Sequence, residues 1–164
     1  VGVCIVPVLA AFIIYTSAIF TYDNAFLLKL NEIVTGRLHL GHSGIENYGI
    51  RILGQQIAWN GAAQQDAVYN YVDSSYLQIL LNHGLSILLL IIAGAVAAGF
   101  EIGKKKDTYL LLVMVIIAMH TTFDPQLMWA GYDSFIMMYS YFKLREDNRQ
   151  QFITNDETDK QTVV

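Results

Sequence analysis

Residues 77–102, LQILLNHGLSILLLIIAGAVAAGFEI, followed by GKKKD at 103–107, decide the fold. From Leu85 the run stays free of charge until Glu101, and its length suits a hydrocarbon core of roughly 30 Å. Three consecutive lysines in the short loop that follows set the orientation, because basic residues beside a span stay on the cytoplasmic side. Gln78, Asn82, His83 and Ser86 soften the first half of the run, whereas Gly94, Ala95, Ala97, Ala98 and Gly99 let a neighbouring helix approach closely.

The composition agrees with a membrane setting. Of 164 residues, 54% are hydrophobic and 15% charged, with a mean hydropathy of +0.40, which does not suit a small soluble globule. The chain opens at Val1 inside an apolar run with no basic leader, and is expected to be the C-terminal piece of a longer membrane protein. Cys4 sits in that run and is expected to be a small buried hydrophobe. No basic stripe interleaved with aromatic residues is present, so nucleic acid is not an expected partner.

These patterns predict an all-α, polytopic membrane protein of three to four spans with one large extracytoplasmic loop. Residues 1–20 form the first span, 21–75 the outer loop with short helices, 76–102 the second span and 103–107 the cytoplasmic loop. Residues 108–123 form a third span and 124–131 an outer loop broken by Pro125. Residues 132–142 are either a short span or an interfacial helix, and 143–164 a disordered cytoplasmic tail. Pro7 is tolerable in the first span because bundle neighbours satisfy the carbonyl it frees.

The outer loop holds the candidate chemistry. Residues 31–59, NEIVTGRLHLGHSGIENYGIRILGQQIAW, are rich in glycine and polar groups and are expected to form short helices and turns. Arg37 and Arg51 offer planar forks of donors suited to a diphosphate, or they snorkel to lipid phosphates. Asp73 either caps the following helix or presents a carboxylate to a sugar hydroxyl, where a general base makes the hydroxyl nucleophilic. His83 lies within the second span, where ionisable groups face a bundle interior or an aqueous cavity. His39 and His42 are three residues apart, but Leu40 and Gly41 do not promise the helix that would aim both at one metal. No metal and no cofactor are expected. Glycine-rich phosphate loops and nucleophile elbows are missing from the sequence. Chemistry outside the membrane has no nucleotide donor, so a reaction there draws on substrates that are already activated and lipid-linked.

Three groups of residues together resemble a family. Thr35, Gly36, Arg37 and Leu38, then Leu53 and Gly54, then Asp73, Ser75, Tyr76 and Gly84 resemble the C-terminal region of the oligosaccharide repeat-unit polymerases that build capsule, exopolysaccharide and O-antigen. The related O-antigen ligases carry a histidine where Asp73 stands, which favours the polymerase branch. The resemblance implies a multi-pass protein of the bacterial cytoplasmic membrane. It implies metal-independent glycosyl transfer between undecaprenyl-diphosphate-linked glycans on the outer face, with Arg37 and Asp73 catalytic and Arg51, Tyr76 and His83 in contact with substrate. A chain-length regulator and a flippase are its expected partners besides the bilayer. Two rivals stand beside it: a transporter or flippase for lipid-linked or anionic solutes, and a non-catalytic membrane subunit.

Overall fold

The computed structural model describes residues 4–60 and 70–128. Their regular elements are helices: α1 (Ile5–Ala18), α2 (Ala25–Ile33), α3 (Arg37–Tyr48), α4 (Ser75–Lys105) and α5 (Thr108–Phe123), with a 3-10 turn at Pro125–Met128. The sole extended pairing among the described residues is an isolated antiparallel bridge between Asn60 and Asn70. They belong to one unit, Val1–Tyr132. The expected helix or span at 132–142 and the tail at 143–164 lie outside the described residues.

Among the described residues α4 is the one helix long and apolar enough to cross a membrane, while α1 and α5 are shorter apolar helices. At 14 and 16 residues these two rise about 21 and 24 Å, against a core of roughly 30 Å. Pro7 sits in the first turn of α1. Its missing N–H is one of the donors that a helix start leaves without a partner in any case, so no neighbour is needed to compensate for it. Cys4 is exposed, contrary to the buried position expected for it.

α1 buries Val6, Ala10, Ile13 and Ser17 along one face and packs on α3, α4 and α5. α5 answers with Met114 and Ala118, and α4 with Ala95, Ala98, Gly99 and Ile102. Gly94, by contrast, has open space where a Cβ would stand, so close approach uses only part of the small-residue stretch. The outward sides are oily: Val8, Phe12 and Ile19 near α1, Leu89, Leu90 and Phe100 on α4, and Leu112, Ile116 and Met119 on α5 are all exposed.

α4 is broken at Gly84, whose φ of 86° and ψ of 171° are not helical. The piece before the break is buried almost all round, with Tyr76, Leu77, Ile79, Leu80 and Leu81 inaccessible. The piece after it, residues 85–105, rises roughly 30 Å at 1.5 Å per residue and leaves one apolar side, with Leu85, Leu89, Leu90 and Phe100, exposed. The break therefore divides a packed N-terminal segment from a segment of membrane-crossing length. At its far end the chain turns through Lys106, held by Lys106 N–H to the Gly103 carbonyl at 3.2 Å. Asp107 caps α5 by accepting from the Leu110 N–H at 3.1 Å.

Candidate functional site

Arg37 is aimed by the turn between α2 and α3. Thr35 and Gly36 both adopt left-handed backbone, at φ 55° and 83°, and the Gly36 N–H closes the end of α2 on the Asn31 carbonyl at 2.8 Å. Glycine takes this conformation without steric cost, whereas a β-branched threonine is strained in it. Gly36 is the N-cap of α3 but has no side chain to cap with. Asn31 supplies the missing acceptor, its Oδ1 receiving the His39 N–H at 3.0 Å. The spacing of Asn31, Thr35, Gly36 and Arg37 thus joins two helix ends and starts α3 at Arg37.

α3 runs unbroken through LGHSG, where short turns are expected from the glycines. Tertiary packing overrides their low helix propensity: a Cβ at Gly41 would lie 2.6 Å from Ser17 Oγ and 2.8 Å from Leu77 Cδ1, and one at Gly44 2.9 Å from Val72 Cγ2. These glycines let α3 press on α1 and on the N-terminal part of α4. His39 and His42 therefore do share a helix. His42 Nδ1 lies 3.0 Å from the Ser17 carbonyl and its Nε2 3.4 Å from Glu46, while the His39 ring packs against Phe20 and Tyr22. No three His, Cys, Asp or Glu side chains gather as a metal site among the described residues.

Arg37 and Asp73 meet. The Arg37 Nε stands 3.7 Å from Asp73 Oδ2, with the two side chains 34% and 27% exposed. That distance is longer than a hydrogen bond, and the Nε has no hydrogen-bond partner among the described residues. The guanidinium lies over the Phe123 ring, 5.8 Å from its centroid, within cation–π range. Arg37 is thus held by a loose ion pair and an aromatic floor, and its fork makes no hydrogen bond among the described residues. Asp73 does not cap α4, since Ser74 is the N-cap residue and makes no side-chain cap bond.

Phe123 has no counterpart in the sequence reading. Its only sequence signal is its place just before Asp124 and Pro125, where α5 must stop. The Ser75 hydroxyl fixes that stop by donating to the Asp124 carbonyl and accepting the Leu127 N–H at 3.1 Å. Beside it His120 Nε2 lies 3.6 Å from Asp124 Oδ2.

Among the described residues, Tyr76, Arg51 and His83 make no hydrogen bond or ion pair with Arg37 or Asp73. Tyr76 is wholly buried. Its hydroxyl donates to the Ala118 carbonyl at 3.3 Å and accepts from Thr121 at 3.0 Å, so it ties α4 to α5 and is closed to any ligand. Arg51 is exposed and its carbonyl accepts the Leu85 N–H at 2.9 Å. His83 is exposed beside the break.

That break is filled by the chain at residues 51–55. The Leu85 and Ser86 N–H groups bond to the Arg51 and Ile52 carbonyls at 2.9 and 3.2 Å, and the Gln55 N–H bonds to the Asn82 carbonyl at 2.8 Å. Gly54 and Gly84 permit this contact. A Cβ on Gly84 would stand 2.5 Å from the Ile52 carbonyl oxygen, and one on Gly54 2.8 Å from His83 Cα.

Comparison with protein-family models, with curated proteins and with solved structures finds no match for this chain.

Proposed function

We propose that this chain belongs to a membrane glycosyltransferase that polymerises undecaprenyl-diphosphate-linked oligosaccharide repeat units on the outer face of the bacterial cytoplasmic membrane. The observation that carries the proposal is the meeting of Arg37 and Asp73 at 3.7 Å, half-buried, at the end of α4 remote from Lys104, Lys105 and Lys106. In this reading α1 and α5 cross beside α4 with their exposed apolar sides toward lipid, and the lysine turn keeps the opposite end in the cytoplasm.

The acceptor hydroxyl oxygen attacks the anomeric carbon of the growing chain. The bond from that carbon to the diphosphate oxygen breaks, and its electron pair leaves with undecaprenyl diphosphate. Arg37 stabilises the charge that develops on the departing diphosphate, and the Asp73 carboxylate takes the proton of the hydroxyl. Phe123 keeps the guanidinium in place beneath the reacting groups.

The transporter reading draws on the broken helix, since such helices often offer a free N-terminus to an anion. Here the Leu85 and Ser86 amides are already bonded to Arg51 and Ile52, which leaves the anion to Arg37. In cells carrying the full-length protein, Arg37→Ala and Asp73→Asn should leave single repeat units on the lipid carrier and remove long polymer at unchanged membrane levels. Polymer of normal length in Arg37→Ala would reject the proposal.

A further inference from the structure

A second site lies along the filled break of α4. An open groove of about 880 Å³ is lined by Gly54, Gln55, Gln56, Ile57, Ala58, Asn82 and His83, a size typical of small-molecule sites. We infer that this groove binds an uncharged, hydroxyl-rich ligand, a stretch of glycan.

Among the described residues the lining has no carboxylate, lysine or arginine, so none of them selects for an ion. It does hold three carboxamides and an imidazole, groups that both donate and accept hydrogen bonds, as a sugar hydroxyl requires. Two of these side chains have structural duties: Gln55 donates to the Tyr48 carbonyl at 3.1 Å, and Asn82 Oδ1 accepts the Trp59 indole N–H at 3.1 Å. Gln56 and His83 are exposed and make no hydrogen bond among the described residues, which leaves them for a ligand.

The backbone around the groove is unusually well fixed for a loop. The Asn82 carbonyl, freed by the break, is bonded to the Gln55 N–H, and Trp59, next after Ala58, is held by Asn82 and by edge contacts to Tyr48 and Tyr71 at 5.6 and 6.1 Å. Asn70 donates to the Tyr48 hydroxyl behind it. A groove held in shape before ligand arrives loses little on binding, and Ile57, Ala58 and Gly54 offer the apolar surface that the C–H faces of sugars cover.

The choice of saccharide below rests on the proposed polymerase activity, whereas the site itself rests on the groove. The probe is the oligosaccharide released by mild acid from the host cell's own lipid-linked intermediates, which carries no diphosphate. It is titrated into the full-length protein in detergent by calorimetry, and inorganic pyrophosphate is titrated in parallel. Gln56→Ala with His83→Ala should weaken saccharide binding by roughly 10-fold or more, two ligand hydrogen bonds being lost, and leave pyrophosphate binding unchanged. Ala58→Trp, which fills the groove and removes no polar group, should abolish saccharide binding alike. Failure of the parent protein to bind the saccharide, unchanged binding in both variants, or a parallel loss of pyrophosphate binding overturns the inference. Saccharide binding lost in these variants while Arg37→Ala cells still make full-length polymer would instead sink the polymerase activity and keep the groove.

Discussion

Replacing Gly84 by alanine should uncouple the 51–55 segment from α4. With φ 86° and ψ 171°, the position lies in a region that essentially only glycine occupies, at a cost of about 1–3 kcal/mol for another residue. The new Cβ would also stand 2.5 Å from the Ile52 carbonyl oxygen, 2.8 Å from the Leu53 carbonyl carbon and 2.9 Å from the Gly54 nitrogen. These are backbone atoms and cannot rotate away. Their retreat breaks the bonds from Gln55, Leu85 and Ser86, each worth about 1 kcal/mol net. The total is about 4–6 kcal/mol if the break persists. The chain has one escape, which is to straighten α4, so that the Leu85 and Ser86 amides find partners within the helix. The Gln55 amide has none, because a straight helix reclaims the Asn82 carbonyl. Hydrogen exchange of the full-length protein in detergent reads this directly: Gln55 should lose its protection in Gly84→Ala, alongside a lowered melting temperature. Gln55 protection equal to that of the parent would refute the interlock as described.

Two substitutions check the remaining devices. Asn31→Ala removes the acceptor for the His39 N–H and should cost about 1 kcal/mol, in the range of other helix caps, visible as a lowered melting temperature; because the same turn starts α3 at Arg37, polymer yield should fall with it. Tyr76→Phe removes a buried hydroxyl that links Ala118 and Thr121, and should cost about 1–2 kcal/mol with polymer length unchanged at permissive temperature. A selective loss of polymer in a stable Tyr76→Phe protein would restore Tyr76 to the substrate.

The sequence carried more of the first site than of the second. Arg37 and Asp73 stand out because charged side chains between apolar runs are costly and few, and the left-handed Gly36 before Arg37 marks a turn by its residue type alone. Phe123 was hidden, since a phenylalanine at the end of an apolar helix looks the same whether it meets lipid or a guanidinium. Gly54 and Gly84 were visible only as punctuation. Their role depends on each other across thirty positions, and periodicity within one segment holds no record of such a partner. The unbroken helix through Gly41 and Gly44 was missed for a related reason: local propensity counts the cost of glycine but not the closeness of Ser17 and Leu77 that the missing Cβ allows.

The Ser75 hydroxyl finds its partners far downstream, the Leu127 amide being 52 residues away. The N-terminal end of α4 is consequently fastened only after α5 has been made and has returned beside it. A nascent chain halted at the lysine turn has no aromatic floor under Arg37 and no latch on Ser75, even though Arg37 and Asp73 have both been synthesised. Completion of the Arg37 surroundings is thereby tied to the docking of α5, and a chain without α5 in place leaves the arginine unsupported.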